Sequence, residues 1–133
     1  MGRKPQRSRN PLISIIDDDV SLVESIVSLL QSAGYKGKGF HSANDFLKSR
    51  QLLSTACLIL DVRMPGTGGL ELQRRLAAEN FQIPIIFITA YDSEDVRARA
   101  FQAGAVEFLC KPFSQESLFQ AVRSALANQE GGT

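Results

Sequence analysis

The sequence predicts an open, doubly wound α/β domain built on a parallel sheet. Short apolar runs recur along the chain, separated by longer stretches with apolar residues at helical spacing. The strongest runs are continuous rather than alternating in polarity, as expected for strands covered on both faces. Five strands alternate one for one with five helices, an order that right-handed crossovers assemble into a parallel layer between helices.

The elements follow in order. Leu12-Ile13-Ser14-Ile15-Ile16 reads as a buried strand, stopped by Asp17, Asp18 and Asp19. Leu22, Ile26, Leu29 and Ala33 recur at helical spacing, and Gly34 is placed to stop that helix. Residues 36–40 read as a weaker strand, loosened by Gly37 and Gly39 and therefore expected at a sheet edge. Ser42 is the expected N-cap of a short helix with Phe46 and Leu47 facing inward. Ala56 to Leu60 is a buried strand that ends at Asp61. The loop Arg63-Met64-Pro65-Gly66-Thr67-Gly68-Gly69 is dense in turn residues and leads into a helix carrying Leu72 and Leu76. Ile85-Ile86-Phe87-Ile88-Thr89 is the fourth strand. A polar helix from about Ser93 to Ala103 sets Val96, Ala100 and Ala103 on one face, and Gly104 ends it. The fifth strand, Ala105 to Leu109, runs towards Lys111-Pro112. The last helix starts near Ser114 and buries Leu118, Val122 and Ala125.

At 133 residues, 44% hydrophobic and 22% charged, the chain has the size and balance of one globular domain. The expected organisation is a basic disordered leader over 1–10, a single domain over 11–128 and a tail or linker stub over 129–133. The leader holds four of the fifteen basic residues and no acid, which leaves the rest of the chain at a net charge of −3. It lacks the apolar stretch of a secretory signal, and Gln6 stands where a myristoylation motif wants Ser or Thr. A disordered leader is preferred over a nucleic-acid-binding arm. No apolar run approaches bilayer-spanning length. Cys57 and Cys110 lie in apolar runs and read as reduced and semi-buried, and with His41 they cannot supply four zinc ligands.

The chemistry gathers at strand ends. Asp17 and Asp18 follow the first strand, Asp61 the third, Thr89 the fourth and Lys111 the fifth. Doubly wound sheets bind ligands outside the carboxyl ends of their strands, so these distant residues aim at one crevice. Two carboxylates about 4 Å apart repel by roughly 4 kcal/mol at an effective dielectric near 20, so three call for a cation. An all-oxygen set without nearby His or Cys suits Mg²⁺. Lys111 offers a point charge for an oxyanion, and Thr89 a hydroxyl. Together they describe phosphoryl transfer to a carboxylate nucleophile. Taken singly, each has an ordinary explanation. The aspartates could cap the first helix, the preferred reading for Asp19; Asp61 could be a loop residue, Thr89 a strand residue and Lys111 a solvated lysine. Only the joint pattern carries weight.

Four segments carry a resemblance: Ile15-Ile16-Asp17-Asp18-Asp19, Leu60-Asp61-Val62-Arg63-Met64-Pro65-Gly66, Ile88-Thr89-Ala90 and Cys110-Lys111-Pro112-Phe113. In order and spacing they resemble the signature segments of bacterial two-component response-regulator receiver domains, from about Leu12 to Leu126. The resemblance implies a flavodoxin-like sheet of order 2-1-3-4-5. It implies that Asp61 is the phosphoacceptor for a sensor histidine kinase or phosphotransfer protein, and that Asp17, Asp18, Asp61 and the Arg63 backbone carbonyl hold Mg²⁺. By the same match Lys111 contacts the phosphoryl group, and Thr89 closes on it while the aromatic at Phe108 turns inward. Pro112 is expected to follow a cis bond. Phe108 stands where tyrosine is frequent, and Tyr91 and Arg63 flank the crevice.

The motifs are similar to those of regulators with a helix-turn-helix output, so a single-domain regulator and one part of a longer protein both stay open. The resemblance further implies a cytoplasmic domain that switches its fourth-helix, fifth-strand and fifth-helix surface for partner binding or homodimerisation, with no direct nucleic-acid binding of its own. Three rivals remain. A receiver-like interaction module would not need the complete set of site residues. A haloacid-dehalogenase-type phosphatase would use Asp17 as nucleophile and Asp19 as acid, but lacks room for a cap domain and an obvious later acid pair. A flavodoxin would need a hydroxyl- and glycine-rich phosphate loop after the first strand.

Overall fold

The computed structural model describes residues 10–91 and 93–131. Apart from Asn10, the basic leader expected over 1–10 lies outside the described residues. The elements are β1 (Leu12–Ile16), α1 (Val20–Ser32), β2 (Lys36–Phe40), α2 (Ala43–Lys48), a 3₁₀ turn (Arg50–Leu53), β3 (Thr55–Asp61), α3 (Gly69–Ala78), β4 (Ile85–Thr89), α4 (Glu94–Gln102), β5 (Glu107–Cys110) and α5 (Gln115–Gly131). Among the described residues the strands form one parallel sheet of order β2-β1-β3-β4-β5. The weak strand β2 lies at the edge, as its glycines led one to expect.

Successive strand residues point to opposite faces, and here both faces are apolar. Ile13, Ile15, Ile59, Ile86 and Ile88 pack against α1 and α5, through Val23, Ile26, Leu30, Leu118 and Val122. Ile16, Leu58, Leu60 and Phe87 pack against Phe46 of α2, Leu72 and Leu76 of α3, and Ala100 of α4. Each fully buried Leu or Ile contributes about 1.5–3 kcal/mol, so these two layers hold the strand ends rigidly in place. The buried Ser14 sits among apolar neighbours because its hydroxyl lies 2.7 Å from Thr55 Oγ1, which in turn donates to Gln51 O at 2.6 Å.

Three details differ from the sequence reading. The buried stripe of α1 is Val23, Ile26 and Leu30, with Leu22 and Leu29 half-buried beside it and Ala33 exposed at the C-cap. The phase is set by β2: a Cβ on Gly39 would collide with Val23, and one on Gly37 would crowd Val27, so the glycines that weaken the strand let α1 settle on it. β5 starts at Glu107, two residues later than expected, because Ala105 N–H closes α4 on Ala100 O before pairing with β4 begins. On α4 only Ala100 is buried; Ala103 is exposed, and its carbonyl accepts a hydrogen bond from Gln73 Nε2 at 3.0 Å. Gly34 ends α1 at φ +93°, a conformation that costs glycine little.

Gly69 opens α3 directly under β3, where a Cβ would strike Asp61 O and press on the Phe87 ring. Gly69→Ala is therefore expected to cost about 1–3 kcal/mol in urea unfolding, because backbone cannot yield as a flexible side chain can. A loss below about 0.5 kcal/mol would show that this approach is not tight.

Candidate functional site

The carboxyl ends of β1, β3 and β5 deliver three charged side chains to one place. Asp17 follows β1, and its N–H donates to Phe40 O, which extends the β1–β2 ladder by one residue. Its side chain is fully buried: Oδ1 accepts from Asp19 N–H at 2.9 Å, and Oδ2 lies 2.7 Å from Lys111 Nζ. Asp61, the last residue of β3 and 5% exposed, accepts from Arg63 N–H at 3.2 Å and places Oδ2 3.5 Å from the same Nζ. Asp18 is exposed at the rim. Carboxylate oxygens of Asp17, Asp18 and Asp61 lie within 4.8 Å of one another. Asp19 stands apart and caps α1, its Oδ1 accepting from Leu22 N–H at 3.1 Å.

Burial raises the Asp61 carboxyl to about 6, and the charge of Asp17 adds to the rise; Lys111 and the Arg63 N–H pull the other way without prevailing. Burial alone would lower Lys111, but its hydrogen bond to Asp17 and the charges of Asp61 and Asp17 outweigh this, so its net shift is upward. Lys111 is thus held as an ammonium by the acids it bridges. One lysine does not balance three carboxylates, and the fully ionised cluster carries an excess of two negative charges. A divalent cation matches that excess, and the all-oxygen donor set fits a hard ion such as Mg²⁺.

The remaining predicted residues surround this cluster. Thr89 ends β4 and is buried, but its hydroxyl is occupied locally: Tyr91 N–H donates to it at 3.1 Å, and it lies 3.3 Å from Tyr91 O. Lys111 N–H donates to Thr89 O at 2.7 Å, which ties the β4 and β5 ends together, and the Lys111–Pro112 bond is cis. Arg63 is exposed and stacks its guanidinium 4.6 Å over the Tyr91 ring at the mouth of the crevice. Phe108 is not in the acidic cluster. It is buried in β5 opposite Phe87, with Arg97 over its ring. Gln73 was missed by sequence reasoning, since a glutamine on an amphipathic helix gives no sign that it will be buried and joined to another helix. Cys57 is buried and its thiol is pushed up to about 12, so it stays neutral. No helix among the described residues is long and apolar enough to cross a membrane.

The fold and site together define a doubly wound parallel α/β domain with an acidic, lysine-bridged candidate cation site at its strand ends. Comparison with known proteins makes the class definite. Residues 13–123 match the response regulator receiver domain family, and the chain belongs to it. It is 44% identical over 126 residues to the response regulator protein TmoT of Ectopseudomonas mendocina, covering 95% of this chain and 57% of that one. It is 38% identical to the transcriptional regulatory protein FixJ of Bradyrhizobium diazoefficiens, covering 89% and 58%. Among solved structures it superimposes on response regulator StyR with a TM-score of 0.84 at 42% identity, covering 92% of this chain and 62% of that one. The FixJ-N crystal structure gives 0.80 at 30%, covering 90% and 96%. The chain spans little more than half the length of the curated relatives it matches.

The raised Asp61 carboxyl has a consequence for stability without metal. The folded protein binds this proton more tightly than the unfolded chain, so its stabilising effect is full below about pH 3.8 and fades as pH rises through about 6. Asp61→Asn, which removes the charge, is expected to stabilise the metal-free protein by about 1–3 kcal/mol at pH 7.5 and by little at pH 4. Urea unfolding in chelator at the two pH values measures the difference; an equal effect at both would contradict the cause assigned.

Proposed function

We propose that this chain is a phosphorylation-switched receiver in which Asp61 accepts a phosphoryl group from a sensor histidine kinase or phosphotransfer protein. The observation that carries the reading is the meeting of Asp61, Asp17 and Asp18 within 4.8 Å, bridged by the ammonium of Lys111. Asp17, Asp18 and Asp61, with the Arg63 backbone carbonyl, would hold Mg²⁺. Bound there, the ion would neutralise the carboxylates and the incoming phosphoryl oxygens.

The chain's own residues then divide the work. An Asp61 oxygen attacks phosphorus in line, the phosphorus–nitrogen bond of the donor phosphohistidine breaks, and the imidazole leaves with the electron pair. Lys111, already 3.5 Å from Asp61 Oδ2, supplies a positive charge to a phosphoryl oxygen in a site where burial makes that charge effective. Thr89 gives up its Tyr91 backbone partners and turns its hydroxyl to a second oxygen. That movement shifts the β4–α4 turn, and the α4–β5–α5 surface is remodelled for a partner or a second copy of the domain. The reading places the domain in the cytoplasm, without membrane or direct nucleic-acid contact.

The phosphatase alternative fares poorly against the geometry. Asp17 has no exposed side-chain surface on which to meet a substrate, and Asp19 is spent on capping α1, so neither is posed as nucleophile or acid. A pure interaction module would have no need for a lysine shared between two buried acids.

Incubation with acetyl phosphate and Mg²⁺ is expected to add one phosphoryl group by intact mass, dependent on the metal and lost in Asp61→Asn. Lys111→Met is expected to slow labelling by about 100-fold, the usual cost of removing one charge-stabilising donor. Labelling of Asp61→Asn at the wild-type rate would sink the assignment.

A further inference from the structure

The receiver resemblance implies that the aromatic at Phe108 turns inward when Thr89 closes. In this structure the two events are separate. Phe108 is already inward, 5% exposed. Thr89 has not closed, since its hydroxyl is engaged with the Tyr91 backbone. The burial of the ring must therefore come from something other than Thr89.

The ring sits in the buried core with Phe87, Ala100 and Ala105, and two side chains of α4 lie against it. Arg97 places its guanidinium carbon 5.0 Å from the centroid of the Phe108 ring, and the Phe101 ring lies 6.5 Å away at 40°. The two are four residues apart on one helix, hence on one face, and both are themselves exposed where they meet the Phe108 ring. Phe108 has no hydroxyl to fix its position by a hydrogen bond, so the ring rests on packing and on the cation above it. α4 is otherwise thinly held. Of its residues only Ala100 is buried, and Gln73 Nε2 tethers the carbonyl of its C-cap, Ala103.

We propose that Arg97 is a positioning residue that keeps Phe108 buried in the unphosphorylated protein, so that α4, and not Thr89, sets the resting place of the ring. The inference depends on the receiver reading only for what phosphorylation does next. With the ring already seated, phosphorylation has no inward turn of Phe108 left to drive. Without Arg97 the ring starts exposed and has far to travel.

The chain contains no tryptophan, so Phe108→Trp installs a single indole that can be excited selectively over Tyr35 and Tyr91, and indole is the ring that stacks best with a cation. In that background, Arg97→Met is expected to raise acrylamide quenching roughly two- to fivefold, and Arg97→Lys to restore most of the protection. Unchanged quenching in Arg97→Met, or a lysine no better than methionine, would overturn the proposal. Because indole is larger than phenyl, the ring-proton shifts of Phe108 itself are compared in wild type and Arg97→Met; identical shifts would also overturn it. Adding beryllofluoride and Mg²⁺ is expected to move the fluorescence little with Arg97 present and strongly towards protection in Arg97→Met. Equal, non-zero responses would overturn this role of Arg97. If neither variant responds and Asp61 fails to label with acetyl phosphate, the phosphoacceptor reading falls, while the quenching result still supports the role of Arg97.

Discussion

The ammonium of Lys111, 2.7 Å from Asp17 and 3.5 Å from Asp61, is the contact on which the arrangement of this molecule turns. It joins the carboxyl ends of three strands, β1, β3 and β5, that are separated by more than forty residues of chain at each step. Buried carboxylates are costly, and a buried ion pair holds only where geometry and further hydrogen bonds compensate for lost water. Here Asp19 N–H and Arg63 N–H supply those bonds. The compensation is incomplete, as the elevated Asp61 carboxyl shows. A site that retains unbalanced negative charge is suited to take up a cation and an electrophile.

The fold explains how such a site can be both rigid and responsive. β1, β3 and β4 are buried on both faces by the α1–α5 and α2–α3–α4 layers, so the acids cannot move apart to relieve their repulsion. The fifth strand and fourth helix are built differently. β5 lies at the other sheet edge from β2, and α4 buries one residue. Small displacements at Thr89 or Lys111 therefore meet little resistance in that direction. The hydrogen bond from Lys111 N–H to Thr89 O places both residues on the boundary between the firm and the yielding part. Elements that move in switching are drawn from the weakly packed end of a structure, and on the proposed reading these would be α4 and β5.

Much of this was legible in the chain. The continuous apolar runs gave the strands, and Asp61, Thr89 and Lys111 stood where those runs end. Ser42, Asp19 and Gly34 announced helix ends through local chemistry that needs no tertiary partner. Errors arose where a neighbour decided the outcome. The stripe of α1 was misphased because glycines in β2 admit Val23. The start of β5 slipped because Ala105 N–H serves α4. The burial of Gln73 depends on a carbonyl thirty residues away.

By itself the sequence determined that Asp17, Asp18, Asp61, Thr89 and Lys111 would be gathered at one edge of a parallel sheet, since strand periodicity and strand ends are local properties. Only the tertiary structure decided how they meet: that Asp17 is fully buried and paired while Asp18 stays at the rim, that one lysine serves two acids, and that Phe108 rests beneath Arg97. These are facts of distance between segments far apart in the chain, and such distances are set by the packing of whole layers rather than by the pattern within any one of them.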